Sequence, residues 1–154
     1  MIEHSNSIFS LRGDNFSCLL RVNPWGLLEL LHFGAPVESG DWEAFCLRPG
    51  LGWGASVLLD EKDTESCPDA MALVWSGSGR GDYRESPLEL GGNSSDFRFA
   101  SYEILDSPVP MVSTLPQALG DGQTLKLTLV QEGAALELYF SVFGGVLTRR
   151  AVLT

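Results

Sequence analysis

The chain has 154 residues, of which 20 are Asp or Glu and 10 are Lys or Arg, so its formal net charge at pH 7 is −10. This acidic balance excludes a basic nucleic-acid-binding surface as the basis of its function. The apolar fraction of 44% fits a single globular domain, and no apolar run reaches the length of a membrane span.

Short apolar runs separated by Gly and Pro predict β-strands from residue 15 onwards. Residues 15–22 and 27–33 are predicted to form a hairpin, because the residues Asn23-Pro24-Trp25-Gly26 between them are typical of a turn. His4 precedes this hairpin and is expected in a frayed N-terminal segment.

Four further strands are predicted in the second half of the chain: 97–105, 124–130, 135–143 and 146–153. Leu125, Leu127 and Leu129 lie on one face of the second of these strands. Lys126 and Thr128 lie on the other face, as in a strand with one side buried. Short Gly-containing connections make the last three strands an antiparallel meander.

The middle of the chain, residues 34–96, is predicted to consist mainly of long loops. It contains only brief strand candidates, 56–59 and 72–75, and no helix of normal length is predicted. The fold class is therefore all-β, a twisted antiparallel β-sandwich. The alternation continues to the last residues, so we expect the chain to be an incomplete piece, the front of a larger β-domain.

The cysteines and histidines provide no metal site at the level of sequence. Cys18, Cys46 and Cys67 include no Cys-x-x-Cys pair, and the chain has two histidines, so a structural zinc would lack ligands. The N-terminus also lacks the pattern of a secretory signal. We therefore expect a cytoplasmic protein without metal or cofactor.

The segment 75–84 carries the side chains most typical of a binding site. Trp75, Asp82 and Arg84 lie there on a Gly-rich backbone that permits close approach of a ligand. Sugar sites combine aromatic ring faces with charged groups that bind hydroxyls. Asp82 and Arg84, two residues apart, equally fit a structural role in bracing their own loop.

At this segment the sequence resembles the amino-terminal domain of the melibiase-like α-galactosidases of glycoside hydrolase family 36. The run Gly79-Arg80-Gly81-Asp82-Tyr83-Arg84 is similar to the second half of the family's Tyr-Pro-x-Tyr-Gly-x-Gly-Asp-Phe-Arg stretch. Three later segments resemble the family in the same order: Phe97–Ile104, Leu115-Pro116 and Leu147–Val152. The resemblance covers most of the chain.

The resemblance implies that residues 1–154 are the front of an N-terminal β-supersandwich, with the catalytic (β/α)₈ barrel outside this chain. Lys62 and Lys126 are the only lysines, and neither begins the family's Lys-Trp-Asp nucleophile motif. No catalytic residue is therefore assigned here. The implied parent is a retaining α-galactosidase that removes terminal α-linked galactose from raffinose- or melibiose-type sugars.

By the same resemblance, the domain contributes to a homo-oligomer and to the rim of the sugar pocket. The implied substrate-binding residues are Asp69, Trp75, Asp82 and Arg84. Two alternatives come from other classes of protein: a free-standing carbohydrate-binding β-sandwich with a tryptophan platform, and a purely structural oligomerisation domain.

Overall fold

The computed structural model of the chain describes residues 1–38, 40, 42–46, 57–62, 66–77, 82, 84–91, 95–110 and 112–154. The strands, labelled β1 to β8 in chain order, are Ile2–Ser5, Ile8–Arg12, Ser17–Val22, Leu28–Gly34, Arg98–Leu105, Gln123–Gln131, Ala134–Phe143 and Val146–Leu153. Two short 3-10 helices are Trp42–Phe45 and Pro68–Ala70. No helix in the described part of the chain has the length and apolar character needed to cross a membrane.

The strands form two four-stranded antiparallel sheets, with the orders β1-β2-β3-β4 and β5-β6-β7-β8. In both sheets each strand pairs with its neighbour in sequence. Buried side chains from the two sheets share one core, so the chain is an all-β sandwich and the predicted fold class is confirmed. The six strands predicted from residue 15 onwards are confirmed as β3 to β8, with boundaries within two residues.

The core forms where the alternating faces of the two sheets meet. Leu125, Leu127 and Leu129 of β6 are at most 1% exposed, as their alternation with polar residues predicts. They pack with Phe9 and Leu11 of the opposite sheet. Burying a side chain of this size stabilises a fold by about 1.5–3 kcal/mol, so each of these positions contributes to the stability of the sandwich.

The expectation of a frayed N-terminal segment is wrong, because residues 2–12 form the hairpin β1–β2. Its two-residue turn is Asn6-Ser7, and both residues have positive φ, at 48° and 65°. Two positive φ values suit the right-handed twist of a tight hairpin. His4 of β1 stacks on Phe9, with ring centroids 4.5 Å apart, and also contacts Tyr102 of the other sheet.

The turn between β3 and β4 is held by one asparagine. The Asn23 side-chain oxygen accepts hydrogen bonds from the backbone N–H groups of Trp25 and Leu27, at 3.1 and 2.9 Å. Its amide donates to the buried carboxylate of Glu29 at 2.8 Å. Gly26, with φ of 73°, completes the turn, and its carbonyl accepts from the backbone N–H of Phe99 at the start of the second sheet.

The described parts of residues 35–96 consist mainly of loops, as predicted, but neither of the two brief strand candidates forms a strand there. Of the candidate 56–59, residues 57–59 form no strand, and residue 56 lies outside the described residues. The candidate 72–75 is reduced to an isolated bridge between Leu73 and Glu29. Backbone hydrogen bonds from Leu30 to Ala72 and from Val74 to Leu28 attach this segment to β4.

Candidate functional site

Asp69 lies on a single 3-10 turn, Pro68–Ala70, directly before the segment attached to β4. The turn is closed by hydrogen bonds from Ala70 N–H to the Cys67 carbonyl and from Met71 N–H to the Pro68 carbonyl. The Asp69 side chain is exposed, and the buried Cys67 thiol donates a hydrogen bond to its Oδ1. Burial and this hydrogen bond raise the pKa of the Cys67 thiol, so the thiol keeps its proton at neutral pH.

Arg84 connects this turn to Asp82. Its Nη1 donates to the Met71 carbonyl at 2.6 Å, and its Nη2 donates to the Pro68 carbonyl at 2.9 Å. Its Nε donates to Asp82 Oδ1 at 2.7 Å, and Nη2 also reaches Oδ2 at 3.0 Å. The planar fork of a guanidinium can satisfy such a set of acceptors at once, whereas a lysine ammonium cannot.

Asp82 is buried, with 5% of its surface exposed. Ser76 donates a hydrogen bond to its Oδ2, and the backbone N–H of Arg84 donates to Oδ1 at 3.2 Å. Burial acts to raise the pKa of Asp82, but the hydrogen bonds from Arg84 and Ser76 outweigh it and hold the pKa below its ordinary value. Asp82 is therefore a carboxylate at neutral pH, with its charge compensated within the loop.

Trp75 is half-buried and packs against the core of the sandwich. The guanidinium carbon of Arg149 lies 5.9 Å from the centroid of its ring, and Arg149 Nη2 donates to the Val74 carbonyl at 2.8 Å. The indole Nε1 is buried without a hydrogen-bond partner. Partial burial of Arg149 lowers its pKa, but an arginine stays charged at neutral pH.

The four predicted residues are thus not equivalent. Arg84 bonds Asp82 directly and reaches the turn of Asp69 through the Pro68 and Met71 carbonyls. Trp75 is adjacent in sequence to Ser76, which bonds Asp82. Their predicted contact with sugar stays a prediction. Cys67, Ser76 and Arg149 also contact these residues and were not predicted from the sequence. Only Cys67 carries a signal, its position two residues before Asp69.

An apolar cavity of about 330 Å³ lies beside this region, between the edge strands β4 and β8. Its lining includes Leu30, Phe33, Val74 and Leu147, and Arg149 is the charged residue among the lining residues described. A sugar site needs several convergent polar groups, so this cavity does not have the character of one. Among the described residues no three His, Cys, Asp or Glu side chains are grouped so as to hold a metal ion.

The described tryptophans also bear on the alternative of a free-standing sugar-binding module. Trp25, Trp42 and Trp75 are half-buried, and Trp53 lies outside the described residues. Stacking on a sugar needs an accessible ring face. The burial of the three described tryptophans is partial, and the alternative of a tryptophan platform stays a prediction.

Comparison with known protein families identifies the chain. A family model described as the glycosyl hydrolase family 36 N-terminal domain matches residues 26–154. The chain belongs to this family. The sandwich described above is thus a family 36 N-terminal domain, as the resemblance of the segment 75–84 and the later segments predicted. A search of the curated proteins found no match.

Solved structures have the same fold. The galactosidase domain of the α-galactosidase-sucrose kinase AgaSK matches with a TM-score of 0.85 and 25% identity, over 99% of this chain and 23% of that one. The α-galactosidase AgaB from Geobacillus stearothermophilus matches with a TM-score of 0.83 and 19% identity, over 99% and 22%. A variant of AgaA from the same organism, in complex with raffinose, matches with a TM-score of 0.80 and 22% identity, over 95% and 22%.

The chain therefore spans less than a quarter of the length of these structures. Its own residues are those of a β-sandwich that carries the braced turn of Asp69. This geometry can present the Asp69 carboxylate to hydroxyl groups.

Proposed function

We propose that the chain is the N-terminal part of a retaining α-galactosidase that hydrolyses terminal α-linked galactose from raffinose- or melibiose-type sugars. The observation that carries the proposal is the family match over residues 26–154. The similarity to the structure of AgaA in complex with raffinose supports the substrate class. In this proposal the chemistry belongs to a separate catalytic barrel.

The domain's proposed contribution is to oligomer assembly and to the rim of the sugar pocket. Asp69 is the residue best suited to contact sugar, because its carboxylate is exposed on a turn held by hydrogen bonds. A hydrogen bond to a charged group contributes about 1.5–3 kcal/mol, enough to set substrate affinity without taking part in bond cleavage. Asp82 is buried, so its proposed role at the rim is to support the loop.

A cytoplasmic location is part of the proposal. All three cysteines, Cys18, Cys46 and Cys67, are free thiols. Free thiols are the usual state in a reducing compartment.

The whole protein containing this chain tests the proposal. We expect it to hydrolyse melibiose and an aryl α-galactoside, and Asp69→Asn to raise KM for melibiose about ten-fold while kcat changes little. Glu61→Gln, which neutralises another exposed carboxylate of the same part of the chain, is the matched control and should leave KM unchanged.

The isolated 154 residues provide the complementary measurement. We expect them to show no hydrolysis of an aryl α-galactoside and no tight binding of galactosides in titration calorimetry. Tight binding by the isolated chain would favour the free-standing carbohydrate-binding module instead. Turnover by the isolated chain that persists through purification would contradict the division of labour between sandwich and barrel.

A further inference from the structure

The turn that carries Asp69 has little stability of its own. A three-residue 3-10 turn is closed by one or two hydrogen bonds, and helical structure this short is marginal in water. The orientation of the Asp69 carboxylate therefore depends on contacts outside the turn.

Arg84 supplies such contacts at both ends of the turn. The carbonyls that it binds belong to Pro68, immediately before Asp69, and to Met71, two residues after it. The Pro68 carbonyl is the same one that accepts the closing hydrogen bond from Met71 N–H. One guanidinium thus fixes the two backbone positions that flank Asp69 and Ala70.

The guanidinium is in turn fixed by Asp82. Both carboxylate oxygens of Asp82 face Arg84, at 2.7 Å from Nε and 3.0 Å from Nη2, and the Asp82 side chain is 2% exposed. A bidentate pair of this kind sets direction as well as distance. All three guanidinium nitrogens of Arg84 are therefore engaged within the protein.

We infer that Arg84, oriented by Asp82, is a positioning residue that holds the 68–70 turn so that Asp69 faces the sugar. This inference rests on the proposed function of Asp69, and it assigns to Arg84 an effect through the turn rather than through its own contact with substrate. Arg84→Lys keeps the positive charge but removes the planar guanidinium that binds several acceptors at once. The substitution should therefore loosen the turn.

A double-mutant cycle in the whole protein tests this assignment. The variants are Asp69→Asn, Arg84→Lys and the combination, with Arg12→Lys as the matched control, since Arg12 pairs with Glu3 at 3.8 Å on the β1–β2 hairpin. We expect Asp69→Asn to raise KM for melibiose about ten-fold, Arg84→Lys to raise it severalfold, and the double variant to resemble Asp69→Asn alone. Values of kcat should stay within about two-fold of the parent.

Effects on KM that multiply in the double variant would overturn the inference, because they would mean that Arg84 acts independently of Asp69. That result would leave the rim role of Asp69 intact. If Asp69→Asn leaves KM unchanged, both the rim role and the positioning of Asp69 for sugar fail, even where the whole protein is an α-galactosidase.

Hydrogen exchange provides a measurement that does not depend on activity. In the whole protein, we expect Arg84→Lys and Asp82→Asn to speed amide exchange in a peptide covering residues 66–73, and Arg12→Lys to leave it unchanged. Arg84→Met is the second variant, and it should speed exchange further. Unchanged exchange in all the variants of Asp82 and Arg84 would overturn the positioning role, whatever reaction the whole protein catalyses.

Discussion

Asp82 illustrates how a single buried charge joins several parts of a loop region. Its carboxylate is bonded by the Ser76 hydroxyl and the Arg84 guanidinium, which join three parts of the described loop region. The Asp82 side chain is 2% exposed and the Arg84 side chain 39% exposed, so replacing Asp82 removes hydrogen bonds to a buried charged group. The residue therefore has a measurable effect on stability that is separate from any effect on sugar binding.

We expect Asp82→Asn to lower the free energy of unfolding at pH 7 by about 1.5–3 kcal/mol. Because the folded-state pKa of Asp82 lies below its ordinary value of 3.8, the stabilisation is present above about pH 4 and is lost as the pH falls through the lower folded-state pKa. Urea unfolding measures the free energy of unfolding of parent and variant at pH 7 and at about pH 3. The difference between the two proteins should be smaller at about pH 3.

Asp121→Asn is the control for this comparison, since Asp121 is exposed. Its effect on the free energy of unfolding should stay within about 0.5 kcal/mol. If Asp82→Asn lowers the free energy of unfolding no more than Asp121→Asn does, the ion pair of Asp82 and Arg84 does not stabilise the fold.

The site could be predicted from the sequence only in part. Asp82 and Arg84 are two residues apart in the sequence, and this spacing is compatible with a pair that braces its own loop. The bonds from Arg84 to the Pro68 and Met71 carbonyls could not be predicted, because a side chain that binds backbone carbonyls of another part of the loop leaves no pattern in the sequence. The burial of Trp75 beside Arg149 likewise depends on how β8 packs.

At the scale of elements, side-chain alternation was the reliable signal. The leucines of β6 alternate with polar residues, and the strand was predicted within one residue at each end. The β1–β2 hairpin was missed because its strands have four and five residues and its Asn6-Ser7 turn lacks the glycine that usually marks a two-residue hairpin loop.

The same alternation predicts at which positions shortening a side chain destabilises the fold. Leu127 is fully buried, whereas Leu119 in the β5–β6 connection is 84% exposed. We expect Leu127→Ala to lower the free energy of unfolding by about 2–5 kcal/mol through lost burial and the cavity it leaves. The matched variant Leu119→Ala should change it by less than about 0.5 kcal/mol, and urea unfolding of the 154-residue chain measures both. If the two variants lower the free energy of unfolding by similar amounts, the assignment of Leu127 to the buried face of β6 is wrong.

For the whole molecule, charge opposes the tendency of open edges to associate. Among the described strands, β8 is the last of the second sheet, and its residues Val146 and Leu153 are exposed. Unpaired strand edges favour association between chains. The net charge of −10 at pH 7 counteracts this by repulsion.

The solubility of the 154-residue chain should therefore depend strongly on pH. We expect a minimum near the sequence isoelectric point of about 4.5, where the repulsion vanishes, and a steep rise towards pH 7. Light scattering at constant protein concentration across this range measures it. Equal scattering at pH 4.5 and pH 7 would show that edge association is not limited by charge.

The junction between the two sheets has a consequence for how such domains diversify. The Gly26 carbonyl binds the Phe99 N–H at 2.8 Å, and Arg98 Nη1 binds the Trp25 carbonyl at 2.9 Å. The start of the second sheet is thus fastened to the β3–β4 turn, whatever route the intervening residues take. Doubling a loop's length costs only about 0.6 kcal/mol in closure entropy. Residues can therefore be inserted or deleted between the two sheets while the contacts of Gly26 with Phe99 and of Trp25 with Arg98 stay the same.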